Sequence, residues 1–283
     1  MASLAASVNR VSEQPAISVV VPSLNQAAFI ESALRSLIDQ RYAPLEIIVI
    51  DGGSTDGTVD VLQRLAVHLS YWHSVPDAGP AAAANDGLAR ATGEILGVLN
   101  ADDFLLPGAL PRIAQTFGTR PDVDVVSGHG YFAASDGQLG APVYSDRWNA
   151  RRFRYGACVL VQPATFFRQR AFARAGGFRQ SGRVCWDMEL WADMARSGAR
   201  FMTIDSHLAA FRLHPASITG RDDLQARRRA DARAVAAEFS GGADTAVDRV
   251  LYYLHRAAKF IRHPLRTLRQ RHFVFAILKR WSV

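Results

Sequence analysis

The sequence lacks the short motifs that mark several large enzyme classes. It contains no GxxxxGKS/T phosphate loop, no GxSxG segment and no HExxH segment, and no GxGxxG follows its first predicted strand. The sequence therefore lacks the residues that P-loop hydrolases and ordinary dinucleotide-binding proteins use. It also lacks the nucleophile motif GxSxG and the zinc-binding motif HExxH. The chemistry has to come from other polar side chains.

Cysteines and long apolar runs are also scarce. The two cysteines, Cys158 and Cys185, form neither a metal-binding spacing nor a disulfide framework. The sequence contains no run of about 18 apolar residues, so no transmembrane helix is predicted. Residues 1–16 lack the basic segment and long apolar segment of an export signal, so they are interpreted as a loose N-terminal lead-in. We therefore expect a cytoplasmic protein.

Acidic residues are missing from the C-terminal stretch. Eight of the 33 Lys and Arg residues lie in 251–283, with none of the 26 Asp and Glu residues. The rest of the chain is nearly neutral, and no nucleic-acid-reading motif accompanies the charge, so no nucleic-acid partner is expected. Residues 219–283 are predicted to form a basic helical extension. We favour the hypothesis that this extension contacts an anionic membrane surface. The alternative is that it packs on the domain as a solvated helical cap.

Strand and helix patterns alternate along the first hundred residues. Short apolar runs rich in β-branched residues are separated by helical patterns, which predicts right-handed βαβ units. The expected fold class is α/β, with a mainly parallel sheet flanked by helices. The predicted strands are 17–23, 45–54, 69–75 and 94–100.

The second half of the chain is less regular. Strands are predicted over 123–132 and 157–167, a helix over 184–198 and extended chain over 199–214. The chain is predicted to be helical again from residue 221, and Pro264 is expected to break that helix.

Polar residues follow each of the four predicted strands of the first half. In open α/β sheets, ligands bind beyond the carboxyl ends of the strands, so these residues are expected along one rim. Each has a simpler interpretation, since Asn and Asp are common in turns and Ser and Asn cap helices. The strand-end residues are Pro22, Ser23, Asn25, Asp51, Asp77, Asp102 and Asp103.

The adjacent carboxylates in "LNADD" suit a divalent cation. Carboxylate oxygens are the usual protein ligands of Mg²⁺ and Mn²⁺, which also bind diphosphates. Such an ion neutralises the charge that develops when a nucleoside diphosphate leaves, and it needs no glycine-rich loop. The acid Asp51 can then contact the base or ribose of the same nucleotide.

Five segments of the sequence together resemble one enzyme family. "VVVPSLN", "VIDGGSTDGT", "DAGPAAAANDGLARATGEILGVLNADD", "QPATFFRQRAFARAGGF" and "WDMELW" occur in the order found in family 2 glycosyltransferases of the GT-A fold. The resemblance extends over 17–218. It implies a Rossmann-like nucleotide-sugar-binding half (17–103) and an acceptor half (104–218). It further implies inverting transfer of a sugar from a nucleotide-sugar, most commonly a UDP-sugar, to a carbohydrate or lipid-linked acceptor in bacterial cell-surface polysaccharide or glycolipid synthesis.

The resemblance also implies roles for individual residues. Asp103 is the expected ligand of Mn²⁺ or Mg²⁺, assisted by His214. Asp187 is the expected general base, with Glu189 as the fallback, because Trp186 stands where the family usually has Glu. The simpler interpretation of Asp187 and Glu189 is that they are ordinary helix-surface acids, and that of His214 is a packing or turn residue. The implied donor-binding residues are Pro22, Ser23, Asn25, Asp51, Asp77, Gly79, Asn85 and Asp102.

Two other functions remain open on the residues alone. A nucleotidyltransferase uses a related α/β domain with an acidic metal site, but it releases pyrophosphate and favours a basic glycine-rich loop that "VPSLNQAAF" does not provide. A nucleotide-sugar-binding module without catalysis is compatible with the altered pair Trp186-Asp187. Retention of all the acids argues against that module.

Overall fold

In the computed structural model, which describes residues 14–215, 217, 222–239, 241, 245–262 and 268, one sheet runs through the centre of an α/β fold. The strands are β1 (Ile17–Ser23), β2 (Leu45–Asp51), β3 (Tyr71–Ser74), β4 (Ile95–Val98), β5 (Phe104–Leu105), β6 (Val125–Ala133), β7 (Leu139–Val143), β8 (Thr165–Arg168) and β9 (Phe201–Arg212). The helices are α1 (Ile30–Ile38), α2 (Thr58–Leu65), α3 (Pro80–Arg90), α4 (Ala109–Thr119), α5 (Ala150–Arg154), α6 (Gln169–Ala175), α7 (Trp186–Arg196), α8 (Asp222–Phe239) and α9 (Ala246–Arg262).

The first four strands form the parallel half of the sheet. β1 pairs in parallel with β2 on one side and with β4 on the other, and β3 pairs with β2. Every residue of β1 is buried, as expected for a strand covered on both faces. The predicted βα alternation is confirmed here. Because these strands are parallel, their carboxyl ends lie at the same edge of the sheet.

The second half makes the complete sheet mixed. β8 runs antiparallel to both β4 and β6, β9 runs parallel to β6, and β5 runs antiparallel to β9. The predicted α/β class is confirmed, but the sheet is mixed: the first four strands and the β6–β9 pair are parallel, whereas β8 and β5 pair antiparallel with their neighbours. Gly97 allows the β4–β8 pairing, because a Cβ at that position would lie 2.5 Å from Phe166 Cε1.

The strand predicted over 157–167 is shorter than expected. It begins only at Thr165, and a 3₁₀ turn at Gln162–Ala164 precedes it. Pro163 cannot donate a ladder hydrogen bond, which explains why the strand does not extend further back. The Gln162 side chain donates instead to the Val98 carbonyl over 2.7 Å, so this turn is joined to the end of β4.

Helices pack on both faces of the sheet. One core layer contains side chains of α1, α2 and α4, and the opposite layer contains side chains of α3 and α7. Gly87 brings α3 close to the sheet, since a Cβ there would lie 2.4 Å from Val20 Cγ1. This close approach holds the C-terminal half of α3 against β1 and β2.

The C-terminal helices pack against the acceptor half. α8 contacts α7, and α9 docks through the buried Tyr252 ring, which occupies the space beside Gly156. In the described part of the chain, no helix is both long and apolar enough to cross a bilayer. The predicted break at Pro264, most basic positions of the tail and most of the lead-in lie outside the described residues.

Candidate active site

Asp51, at the end of β2, joins three strand ends in one polar network. Its buried carboxylate accepts hydrogen bonds from Ser54 N (2.8 Å), Ser54 Oγ (2.5 Å) and Ser74 Oγ (2.6 Å). The Asn25 N–H donates to Ser54 Oγ over 2.7 Å. A buried carboxylate needs such partners to offset its desolvation. The network therefore fixes the ends of β1, β2 and β3 relative to one another.

The loop after β1 contains two buried polar atoms with unused hydrogen-bonding capacity. Ser23 Oγ and Gln26 Oε1 have no hydrogen-bond partner among the residues that the structure describes. Buried polar atoms are normally paired, so these two are available to a ligand. Pro22 is buried beside them, and Asn25 turns the chain with a φ of +53° while its Oδ1 accepts the Thr55 N–H over 2.9 Å.

The loop after β3 brings Asp77 next to the end of β2. The exposed Asp77 carboxylate accepts the Gly79 N–H over 2.7 Å, and Gly79 has a φ of +104°, which favours glycine. A Cβ built on Gly52 would lie 3.1 Å from Asp77 Oδ2. Asp51, Asp77 and Gly79 therefore share one edge of the sheet, as predicted.

Asn85 is placed in a link between two elements. Its Nδ2 donates to the Phe178 carbonyl over 2.7 Å, and its Oδ1 accepts the Phe178 N–H over 2.9 Å. Both ends of the amide are thus occupied by the segment that follows α6. The side chain connects α3 to the segment that leads into α7.

Asp102 and His214 meet at the end of β4. Asp102 Oδ2 lies 3.0 Å from His214 Nε2, and the Asp102 side chain is 20% exposed whereas that of His214 is 4% exposed. The His214 ring packs against Phe29, at the start of α1, with centroids 4.4 Å apart. Phe29 thus connects this pair to the loop after β1.

Asp103 is more deeply placed than its neighbour. It is 1% exposed, and its carboxylate accepts hydrogen bonds from the Arg212 main chain (2.9 Å) and from Asn100 Nδ2 (3.3 Å). Burial raises the pKa of Asp103 well above its usual range, and the charge of Asp102 raises it further. Its two oxygens therefore already have partners within the protein.

Sequence reasoning missed Arg212. This buried side chain donates from Nε to the Asp102 carbonyl (2.8 Å) and from Nη1 to the Ser135 carbonyl (2.8 Å). Burial lowers the pKa of its guanidinium, although the charges of Asp103 and Asp102 oppose that shift. A signal was present: Arg212 precedes His214 by two residues, a spacing that puts side chains on the same side of extended chain.

Asn100 and Gln162 form a second contact that the sequence did not suggest. Asn100 Nδ2 donates to Gln162 Oε1 over 3.1 Å, so the "LNADD" turn is joined to the turn before β8. The Asn in "LNADD" and the Gln in "QPATFF" are thus one unit in space. Their separation of 62 residues hides the pairing from any local pattern.

Asp187 lies in the first turn of α7. The preceding Trp186 is buried in the core layer that also contains Val98 and α3, and its ring lies 4.7 Å from that of Phe178. Burial raises the pKa of the half-buried Asp187 carboxyl, while the Met188 N–H opposes the shift. A raised pKa suits a group that accepts a proton near neutral pH.

Glu189 has a different environment. It is buried, and its carboxylate binds Arg183 Nη1 (2.9 Å) and Ser181 Oγ (2.7 Å). Both carboxylate oxygens of Glu189 therefore already have partners within the protein. These contacts favour Asp187 over the fallback residue.

The ligand atoms that Asp102 and His214 provide at the end of β4 suit a divalent ion whose remaining ligands come from a substrate. Within the part of the chain that the structure describes, no three His, Cys, Asp or Glu side chains form a group that could hold a metal. Asp102 and His214 offer one oxygen and one nitrogen donor, which Mn²⁺ accepts. Ions of this type commonly complete their coordination with substrate phosphates and water.

The family model "Glycosyl transferase family 2" matches residues 18–175. This stretch contains β1 except for Ile17, the whole of β2–β4, the Asp51 network, Asp102 and Asp103. It is more than half of the chain.

Curated relatives support the same family. An uncharacterized glycosyltransferase of Mycobacterium tuberculosis is 31% identical over 179 residues, which are 62% of this chain and 67% of the relative. A PGL/p-HBAD biosynthesis glycosyltransferase of Mycobacterium bovis is 31% identical over 182 residues, which are 62% of this chain and 69% of the relative.

Solved structures share the fold at low identity. Staphylococcus aureus TarS (residues 1–349) in complex with UDP-GlcNAc has a TM-score of 0.59 at 19% identity, over 79% of this chain and 71% of that chain. The mannosyltransferase PcManGT of Pyrobaculum calidifontis, in complex with GDP-Man and Mn²⁺, has a TM-score of 0.58 at 21% identity, over 95% of this chain and 87% of that chain. Together with the family match and the strand-end acids, these likenesses lead to one conclusion: the chain belongs to glycosyltransferase family 2 and has the GT-A fold.

Proposed function

We propose that this enzyme transfers a sugar from a nucleoside diphosphate sugar to an acceptor hydroxyl with inversion at the anomeric carbon. The observation that carries the proposal is the Asp102–His214 pair at the end of β4, on the same strand-end edge as the Asp51 network. The unpaired Ser23 and Gln26 oxygens add hydrogen-bonding capacity for the nucleotide at this edge. We infer that UDP is the preferred nucleotide, in line with the family resemblance.

Metal binding is proposed for Asp102 together with His214. Asp103 is the ligand that the family resemblance implies, but its oxygens are occupied by Arg212 and Asn100, and its pKa is raised by burial. The more exposed Asp102 is therefore the better candidate, and Arg212 holds its main-chain carbonyl in place. When bound, Mn²⁺ or Mg²⁺ would neutralise charge on the departing diphosphate.

The chain's own residues carry the rest of the proposed reaction. Asp187 accepts the proton of the acceptor hydroxyl while that oxygen bonds to the anomeric carbon. The bond from this carbon to the diphosphate oxygen breaks with its electron pair, and the nucleoside diphosphate leaves. The raised pKa of Asp187, caused by burial, favours its role as base, and Trp186 keeps it in place from the core.

The proposed acceptor is a carbohydrate or a lipid-linked glycan in the synthesis of bacterial cell-surface polysaccharide or glycolipid. A mycobacterial relative named for PGL/p-HBAD biosynthesis supports this setting. TarS with UDP-GlcNAc and PcManGT with GDP-Man support two donor classes, so both must be tested.

A thermal-shift panel with UDP-GlcNAc, UDP-glucose, GDP-mannose and dTDP-sugars, each with and without Mn²⁺, tests the donor. We expect one nucleotide class to raise the Tm in a metal-dependent way and to be hydrolysed slowly to nucleoside diphosphate. Release of pyrophosphate from a nucleoside triphosphate would instead support a nucleotidyltransferase. Stabilisation without any hydrolysis would support a binding module.

Asp187→Asn separates binding from chemistry. We expect donor hydrolysis to fall at least ~100-fold, the range for loss of a general base, while the donor-induced Tm shift remains. The exposed Asp39 provides a matched control as Asp39→Asn. Loss of the donor-induced shift in Asp187→Asn would contradict the base assignment.

We also propose that the C-terminal extension contacts an anionic membrane surface. Apolar side chains spaced for one face of α9 lie open to solvent, although Tyr252 docks the helix on the domain. The strongly basic composition of 251–283 complements anionic lipid headgroups. The exposed apolar residues of α9, each between 58% and 75% exposed, are Val247, Val250, Tyr253, Leu254 and Ile261.

A further inference from the structure

We propose that α8 is a positioning element of the acceptor half, which holds the segment before α7 and brings the Arg228 main chain against Cys185, two residues before Asp187. The inference rests on the proposed role of Asp187 as general base. It assigns a function in the reaction to a helix that lies beyond the family match, which ends at residue 175.

Three contacts join α8 to the residues that immediately precede α7. The Val184 N–H donates to Asp231 Oδ2 over 2.9 Å, and Arg227 Nη2 donates to the Gly182 carbonyl over 2.8 Å. The Cys185 thiol lies 3.5 Å from the carbonyl of Arg228. Because Cys185 is only two residues from Asp187, these bonds fix the main chain on which the base is mounted.

An ion-pair network extends the attachment to the body of α7. Arg183 contacts Glu238 of α8 and also Glu189, at 2.9 Å. Arg179 contacts the same Glu238 at 3.2 Å and also pairs with Asp193. Glu238 therefore bridges two arginines that hold α7 near both its start and its centre.

The charges around Asp187 give α8 a second effect. Glu189 on α7 raises the pKa of Asp187, and burial raises it more, whereas Arg228 of α8 lowers it. The Cys185 thiol lies close by, and burial raises its pKa to about 12, so it stays uncharged. Arg228 Nη2 donates to Gln225 Oε1 over 3.2 Å, whereas the buried Arg228 Nε has no hydrogen-bond partner in the described ranges. Arg228 thus offsets the effect of burial on the base.

The test compares Arg228→Gln with Arg229→Gln, a matched change at an exposed position of the same helix. The readout is the pH profile of hydrolysis, with water as acceptor, of whichever nucleotide-sugar in the panel stabilises the protein. Loss of the Arg228 charge should raise the pKa of the base, so the acid limb of kcat should move to higher pH. The donor KM should stay unchanged. Arg229→Gln should leave the profile where it is in the parent enzyme.

Glu238→Gln separately tests the ion-pair network that Glu238 forms with Arg179 and Arg183. We expect kcat to fall about tenfold with an unchanged donor KM, and Glu238→Asp to restore part of the rate. Thermal unfolding identifies any variant that fails to fold, and the inference then rests on the Arg228→Gln profile. The inference is overturned if Arg228→Gln and Glu238→Gln both behave like Arg229→Gln. If Asp187→Asn hydrolyses the donor as fast as the parent enzyme, Asp187 is not the base. The proposed function is then contradicted at this residue, and the present inference fails with it.

Discussion

The carboxylate of Asp102 and the imidazole of His214 lie 3.0 Å apart although 112 residues separate them in the chain. The contact exists because β5 and β9 pair antiparallel, with Phe104 opposite Ala210, so that the end of β9 returns to the "LNADD" turn. Arg212 then fixes both acids from the same strand end.

Asp102→Asn and His214→Ala should each weaken metal-dependent donor binding. Each change removes one of the two proposed protein ligands of the ion. We expect the Kd for nucleotide-sugar in the presence of Mn²⁺ to rise at least ~10-fold, a range typical when a metal site is disturbed. Isothermal titration with and without Mn²⁺ measures this directly. Unchanged affinity in both variants would refute the metal assignment, and Asp39→Asn serves as the control.

Asp103 should make folding stability depend on pH. Its pKa is raised by burial and then by Asp102, so the folded state holds this proton more tightly than the unfolded state does. The contribution of Asp103 to stability is thus largest at acidic pH. It falls as pH rises from the unfolded value near ~3.9 towards the folded pKa. The difference in unfolding free energy between the parent and Asp103→Asn should therefore decrease from pH 4 to pH 7, which urea denaturation measures.

Gly87 and Gly118 should respond in opposite directions to alanine. A Cβ at Gly87 would lie 2.4 Å from Val20 Cγ1, so Gly87→Ala should cost about 1–3 kcal/mol of unfolding free energy through overpacking. Gly118 in α4 has no atom within 4 Å of a built Cβ, so Gly118→Ala should add roughly 0.5 kcal/mol. Chemical denaturation measures both. Equal effects would mean that α3 can move away from β1 at little cost.

Membrane contact by α9 should depend on its exposed apolar face. The double variant Leu254→Asp, Ile261→Asp should lose co-sedimentation with vesicles of phosphatidylglycerol and phosphatidylcholine, because charged side chains cannot enter the apolar region of the bilayer. Val67→Asp is the control, since Val67 is exposed but lies after α2. Binding should weaken with salt and be absent on pure phosphatidylcholine.

Equal binding of the double variant and Val67→Asp would contradict the membrane proposal. A parent protein that ignores vesicles but forms dimers in light scattering would show that the α9 face joins two copies of the chain instead. The double variant should then be monomeric.

The sequence predicted the donor side of the fold better than the acceptor side, and the reason is physical. Residues 19–21 of β1 and 47–50 of β2 are continuous apolar runs because both faces of these strands are buried there, and the sequence shows where each run ends. The antiparallel return of β8 depends on the fit of Phe166 over Gly97, which is a contact across the sheet. Local periodicity contains no information about it.

The sequence also does not show which of the two acids of "LNADD" is buried and which is exposed. The family resemblance implied Asp103 as the metal ligand, yet its exposure is fixed by Arg212 and Asn100, and the register of β9 shifts twice against β6 before reaching Arg212. A strand whose register shifts cannot be aligned residue by residue from its sequence. The Asp103 assignment therefore stays a prediction, as does the domain boundary at 218.

Asn85 makes the two halves of the enzyme mechanically dependent. Since its amide holds the Phe178 main chain by both N–H and carbonyl, a rotation of α3 must displace the segment that leads to α7. The start of α3 carries the Gly79 loop at the donor edge, and the start of α7 carries Asp187. The position of the Gly79 loop is therefore coupled through a single amide to the main chain that leads to Asp187.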